Sequence, residues 1–264
     1  MLAAMSLASR VAPRLPDRVL VSLLCALYGR FEPELRRLDD LCPRYGTALD
    51  IGAWYGPWSN RLARHAERVV AFEPTPRAAA VLQRTAPPNV EVVTSALSAQ
   101  AGVAQIWFPE GGGPDGINSL VRGGRHDRSV SVPTITLDSL GLTGVTFAKI
   151  DVEGYEVPVL RGAEQTIKRE RPRLFVEVES RMQPISGVVE LLVGWGYRGW
   201  VLPGRDWLPL EDFDLASHQR QTQHVATRGL VRRVLWPRPR YVNSVLFLPD
   251  GQRPTGSHGP TAAG

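Results

Sequence analysis

The chain has 264 residues, of which 43% are apolar and 22% charged, with a formal charge of +5 and a sequence pI near 9.6. That balance fits an ordinary soluble chain, long enough to bury a core without staples. Its two cysteines, Cys25 and Cys42, exclude a disulfide scaffold and a cysteine-ligated zinc or iron–sulfur site. A charge this small is a weak pointer to nucleic acid.

No apolar run reaches the about 18 residues of a membrane-spanning helix. The first residues lack the basic-then-apolar order of a signal peptide. A cytoplasmic protein is the expectation. Residues 1–45 read as a helical extension broken by Pro13, Pro16, Pro33 and Pro43. Residues 46–203 alternate strand-like and helical patterns, and a basic, Pro-containing segment and a last strand complete a domain over residues 46–250. Residues 251–264 have almost no apolar content and are expected to be a disordered tail.

Within the middle stretch, TALDIG is a buried strand ending at a glycine turn, and PWSNRLARHA a helix. RVVAFEP is a second strand, PRAAAVLQRTA a second helix and NVEVVTSAL a third strand. VTFAKID is a fourth, followed by a helix over residues 156–169. RLFVEVE is a fifth, with ISGVVELLVGWG as the helix behind it, and YRGWVL and YVNSVLFL complete the set. Strands alternating with helices imply an α/β fold with a mostly parallel sheet covered on both faces. Residues 101–137 are extra: VAQIWF and SVSVPTITL read as an inserted hairpin around a glycine-rich loop that holds His126. Loops of this length inside a compact domain are usually functional.

Asp50, Gly52, Ala53, Tyr55 and Gly56 lie in D-x-G-x-x-x-G, between a strand and a helix. Ligands of doubly wound sheets bind at this carboxyl edge. The G-x-G-x-x-G dinucleotide fingerprint is absent, which disfavours a bound pyrophosphate. About twenty residues on, the second strand ends in Glu73-Pro74, the spacing at which a carboxylate bonds the ribose hydroxyls of an adenosine. The pair points to S-adenosyl-L-methionine. Ser95 and Ala96, after the third strand, would flank the adenine or simply form a strand exit.

These residues come in a wider order: DIGAWYG, VVAFEP, SALS, the Thr136-Leu137-Asp138 step, FAKIDVEGYE, VLRGA, RPRLFVEVE and YVNSVLFLP. The order resembles the FkbM family of S-adenosylmethionine-dependent methyltransferases over roughly residues 46–250. The resemblance implies a Rossmann-like class I methyltransferase fold with seven strands, six parallel and one antiparallel. It also implies O-methylation, commonly of sugar or polyketide hydroxyls. Trp54 stands where the family usually has asparagine, so a polar contact there is lost or replaced, and Trp54, Tyr55 and Trp58 would shape a pocket wall.

Methyl transfer from a sulfonium needs the acceptor oxygen about 3 Å from the methyl carbon, in line with the sulfur. An aliphatic hydroxyl needs a base or a metal to assist loss of its proton. Lys149, one of only two lysines, sits with Asp151, Glu153 and Glu156 at the end of the fourth strand, and Glu177 and Glu179 end the fifth. Alternation along a strand turns Lys149 and Asp151 to one face. Asp151 is the first candidate beside the methyl group, with Glu177 as second carboxylate. Two routes stay open: Asp151 and Glu177 hold Mg2+, which favours oxygen ligands, or His126 takes the proton.

Asn118, Ser119 and Asn243 are candidates to contact the acceptor. His65, His218, His224 and His258 read as exposed. The Arg-rich residues 228–240 read as a solvated face or a strip for an anionic acceptor or membrane surface. The partners expected are a small-molecule or carbohydrate acceptor, no nucleic acid and no integral membrane segment. Peripheral membrane contact and a homodimer stay open. A reading of a different class is a non-catalytic adenosyl-binding module that recruits a partner through the basic segment.

Overall fold

The computed structural model describes residues 15–109, 126–226 and 240–255. Asn118, Ser119, Arg228, Arg232, Arg233, Arg238 and His258 therefore lie outside the described residues. The elements run α1 (Asp17–Phe31), a 3-10 turn (Pro33–Arg37), α2 (Leu38–Leu41), β1 (Thr47–Ile51), α3 (Pro57–Leu62), β2 (Arg68–Phe72), α4 (Pro76–Thr85), β3 (Val90–Val93), β4 (Ala96–Leu97), β5 (Gly102–Pro109) and β6 (His126–Ile135). They continue with β7 (Val145–Ile150), α5 (Glu156–Arg161), α6 (Glu164–Glu170), β8 (Arg173–Glu177), α7 (Ile185–Gly194), β9 (Tyr197–Val201), β10 (Leu208–Pro209), α8 (Leu215–Ala226) and β11 (Ser244–Pro249).

The main sheet has the order β10-β9-β11-β8-β7-β1-β2-β3. β1 pairs in parallel with β2 and β7, β2 with β3, and β7 with β8. β11 runs antiparallel to both β8 and β9, and β10 antiparallel to β9. Six strands therefore share one direction, and β11 and β10 run against them. The strand count is eight rather than seven, because Leu208-Pro209 adds a two-residue edge. β1 is buried along its whole length, as a central strand covered on both faces must be.

A second sheet, β4-β6-β5, holds the inserted hairpin. The run NVEVVTSAL is two strands, not one: the chain leaves the main sheet after Val93, and Ala96–Leu97 pairs with β6. The helix expected over residues 156–169 breaks into α5 and α6. Gly162 lies there against Ser98, and an added Cβ would stand 1.9 Å from the Ser98 carbonyl oxygen. Asp138 closes the same junction. Its carboxylate accepts the backbone N–H of Gln165 at 3.1 Å and of Thr166 at 2.8 Å, satisfying free donors at the start of α6. The SALS, TLD and VLRGA segments thus meet in one structural joint.

Alternation sorts the sheet into two cores. Leu49, Ile51, Val70, Ala148, Ile150, Leu174 and Val176 face α5, α6 and α7. Ala48, Val69, Phe147, Phe175, Trp200 and Leu246 face Trp58, Leu62, Leu35 and Leu41. Each fully buried large apolar side chain contributes about 1.5–3 kcal/mol. Asp50, Lys149, Asp151 and Glu177 fall on the second face, and α1 and α3 come close to their ends. Residues 251–255 turn back, and the Thr255 carbonyl accepts a bond from Arg37 at 3.2 Å. No helix among the described residues is long and apolar enough to cross a membrane.

Candidate active site

The parallel register of β1 and β7 sets Asp50 beside Lys149. Asp50 is fully buried and Lys149 nearly so. Lys149 Nζ lies 3.7 Å from Asp50 Oδ1 and 3.3 Å from Asp151 Oδ2, and donates to the Gly52 carbonyl at 3.0 Å. Burial alone would lower the pKa of this ammonium; Asp151, Asp50 and Glu32 outweigh it and hold the group protonated. Ser59 Oγ donates to Asp50 Oδ2 at 2.5 Å from α3. Burial pushes the Asp50 carboxyl up, against the pull of Lys149 and Ser59.

Gly52 and Gly56 both have φ of +80°, which turns the loop sharply after β1. A Cβ on Gly52 would stand 1.9 Å from the Asp151 carbonyl oxygen, so the two strand ends touch through backbone there. Trp54 also takes a positive φ, of 51°. Its backbone N–H donates to Glu73 Oε2 at 2.8 Å, and the Thr75 N–H donates to Glu73 Oε1 at 2.7 Å. Glu73, at the end of β2, is thereby tied to the glycine loop, and Pro74 follows it into α4.

Three carboxylates gather at the ends of β7 and β8. Asp151, Glu153 and Glu177 each offer an oxygen within 4.8 Å of the others. Their acidities diverge. Burial works to raise Asp151, but Lys149 and a hydrogen bond from Glu177 bring it below the usual carboxylate range. Burial, reinforced by the charge of Asp151, pushes Glu153 and Glu177 well up. Carboxyls side by side with acidities pushed in opposite directions are the pattern that separates acid and base roles. Asn243 Nδ2 donates to Glu177 Oε1.

Glu156 has a different place. Its Oε1 accepts the N–H of Gly154 at 3.1 Å and of Val152 at 3.3 Å, and Gln183 donates to its Oε2. It shapes the 152–154 loop rather than joining the three carboxylates. Burial pushes its carboxyl up to about 7. Glu179 bonds Arg181 and Tyr241 instead of the cluster.

Other expected residues lie elsewhere. Tyr55 is buried with Leu20, Val21, Leu24, Ala78 and Val81, on the side of α1. Ala96 is buried with Ile106, Phe108 and Val132 in the hairpin core. His126 opens β6, paired with Pro109, rather than lying in the loop; its side chain is outside the described residues. His65 is not exposed but holds the Cys42 carbonyl at 2.5 Å, and His218 holds the Arg240 carbonyl at 3.1 Å.

Tyr28 and Glu32, for which no local pattern is a signal, reach the site from α1 and its exit. The Trp58 indole N–H donates to Glu32 Oε2. Burial, then the charge of Asp151, pushes the Glu32 carboxyl up to about 8. Burial, then the charges of Glu32, Asp151, Glu177 and Glu153, raises the Tyr28 hydroxyl.

Two buried polar atoms on this loop and strand end lack a hydrogen-bond partner among the described residues: Asp50 Oδ1, which has only its ion pair, and Trp54 Nε1. Buried polar groups are normally satisfied. Two orphans beside the glycine turn and Glu73 fit a polar ligand seated at this edge. An α/β sheet with a glycine turn after its first strand and a carboxylate ending its second is a nucleoside-type binding arrangement.

Residues 50–198 match the family model described as "Methyltransferase FkbM domain", more than half of the chain, and the chain belongs to this family of S-adenosylmethionine-dependent methyltransferases. It is similar to the crystal structure of a methyltransferase FkbM from Methylobacillus flagellatus KT, at 14% identity and a TM-score of 0.47 over 94% of this chain and 58% of that one. The chain thus spans under two thirds of that protein's length. It is also similar to SMU.1697c, a putative methyltransferase from Streptococcus mutans in complex with SAH, at 12% identity and a TM-score of 0.40 over 67% of this chain and 92% of that one. A further similarity is to a precorrin-6y C5,15-methyltransferase from Geobacter metallireducens GS-15, at 18% identity and a TM-score of 0.40 over 64% and 73% of the two chains. A comparison with curated proteins returned no match.

Proposed function

We infer that the protein is an S-adenosylmethionine-dependent O-methyltransferase acting on a hydroxyl of a sugar, an oligosaccharide or polysaccharide, or a related secondary metabolite. The observation that carries this is Asp151, an ionised carboxylate fixed by Lys149 at the strand end that touches the Gly52 turn. The cofactor supplies a methyl group on a sulfonium. Asp50, the Gly52–Gly56 turn and Glu73 are the residues to hold it, with the two orphaned polar atoms facing its polar groups. Asp151 would accept the hydrogen bond of the acceptor hydroxyl and take its proton as the methyl group is transferred to that oxygen. Glu177, whose carboxyl is pushed up by burial and by the charge of Asp151, shares a hydrogen bond with Asp151 and helps to orient it.

A second reading rests on the close approach of Asp151, Glu153 and Glu177. Deprotonated, the three would hold Mg2+ through oxygen ligands, and the ion would lower the pKa of an acceptor hydroxyl. The test is incubation with S-adenosylmethionine and a panel of free sugars and glycosides. A gain of 14 mass units on a hydroxyl, with release of S-adenosylhomocysteine, supports O-methylation. Methylation confined to nitrogen or carbon overturns it, and cofactor binding with no methylated product would mark the adenosyl-binding module instead.

A further inference from the structure

Helix α1 precedes the residues that match the family domain, yet it touches both elements assigned to the cofactor. On the glycine-loop side, Tyr55 is buried against Leu20, Val21 and Leu24. The Tyr28 ring lies 6.3 Å from that of Trp54. On the Glu73 side, α1 covers Ala78 and Val81 of α4, and Asp17 pairs with Arg84 at 2.7 Å. At its end, Glu32 accepts the Trp58 indole N–H. Trp58 is itself wedged on the sheet, with its ring 6.5 Å from Phe147 and 5.3 Å from Phe175.

Four consecutive contacts of α1 thus fall on Trp54, Tyr55, Trp58 and α4, the segments that follow β1 and β2. A ligand held between those segments has to be sensed by the helix that spans them. Surface area lost from α1 would free the loop at the positions where Trp54 stands in its left-handed backbone conformation, which is costly for a bulky residue unless its surroundings hold it.

We propose that Glu32 is a positioning residue of the methyl-transfer site: through Trp58 it fixes the loop after β1, so that docking of α1 and binding of the cofactor favour one another. The proposal rests on the cofactor placement given above. Linkage makes the coupling reciprocal, so it is readable from either side.

The experiment is calorimetric titration of S-adenosylhomocysteine into the full chain, paired with hydrogen exchange of α1 amides with and without that ligand. Exchange in α1 is expected to slow when the ligand binds. Glu32→Ala is expected to weaken binding about tenfold, a coupling of about 1.4 kcal/mol. Glu32→Gln, whose amide oxygen still accepts the indole N–H, is expected to stay within about twofold of the parent chain. A role confined to stability would lower the unfolding temperature of Glu32→Ala and leave affinity unchanged. Unchanged affinity in Glu32→Ala, or α1 exchange indifferent to the ligand, overturns the proposal; the exchange measurement needs no variant to fold. Failure of the parent chain to bind S-adenosylhomocysteine would instead bring down the cofactor placement itself.

Discussion

Lys149 Nζ stands 3.3 Å from Asp151 Oδ2, and the same ammonium faces Asp50 on the neighbouring strand. The ammonium is spent on three acceptors, Asp50, Asp151 and the Gly52 carbonyl. It therefore acts by fixing charge, not by taking a proton. Lys149→Met leaves Asp50 buried without its counter-charge, which costs about 3–5 kcal/mol when a buried pair is broken. Urea unfolding should show a loss of that order, and S-adenosylhomocysteine binding should vanish. Lys149→Arg should not rescue it, because a planar guanidinium does not fit a site built for a point charge. A stability within 1 kcal/mol of the parent chain would show that the ion pair is incidental.

Asp151→Asn keeps the shape of the side chain and removes its charge. Asp50 still partners Lys149, so the fold should survive and its far-ultraviolet spectrum stay unchanged. Methyl transfer should fall by about 100-fold or more, the scale of a lost general base. S-adenosylhomocysteine affinity should change much less, since Asp151 is placed on the acceptor side. Turnover close to that of the parent chain would remove Asp151 from the chemistry.

The strand-end chemistry was legible in the sequence because it rests on local rules. A glycine turn after a buried strand, an acidic residue about twenty positions later and a lysine two residues before an aspartate are all one-dimensional patterns. The alternation of β7 correctly puts Lys149 and Asp151 together. Ser59 escaped notice because a serine inside a helix looks the same whether it faces solvent or a buried Asp50. Glu32 and Tyr28 escaped because only long-range packing carries α1 to the sheet edge. The split of NVEVVTSAL between two sheets is not legible, because a run of alternating residues does not show where one sheet ends and the next begins. The break between α5 and α6 depends on the Ser98 carbonyl pressing on Gly162, a contact 64 positions apart in the chain.

Two glycines separate structure from site. Gly162→Ala forces a methyl group to 1.9 Å from the Ser98 carbonyl oxygen, with none of the three carboxylates among its nearest atoms. It should lower the melting temperature sharply, and any protein that remains folded should bind S-adenosylhomocysteine normally. Gly52→Ala meets the Asp151 carbonyl at the same distance and at a φ of +80°. It should cost both stability and binding. Equal binding losses in the two variants would show that the joint at Gly162 also shapes the site.

A chelator separates the two routes to the acceptor proton. If Asp151 acts directly, turnover should be indifferent to EDTA and to added Mg2+. If Asp151, Glu153 and Glu177 hold the ion, EDTA should abolish turnover, and Mg2+ should restore it more fully at higher pH, where Glu153 and Glu177 lose their protons.

Stability should fall as pH rises from about 5 to about 8. Glu32 titrates near 8 in the folded chain against an ordinary value of 4.5, and Glu156 near 7. Each group keeps its proton in the folded state while the unfolded chain has lost it, so raising the pH through this window favours unfolding. The stability each contributes is complete below 4.5 and gone above its folded value. Asp151 works the other way, since its lowered value stabilises the fold until acid protonates it. The groups that bear on Glu32 are Asp151, Lys149, Glu34 and the Trp58 N–H. Glu32→Gln should therefore flatten the upper part of the profile, and Glu156→Gln the lower part. Melting temperatures read at half-unit steps give the answer: a midpoint that stays level or rises between pH 5 and pH 8 would show that these two carboxyls are ionised in the folded chain.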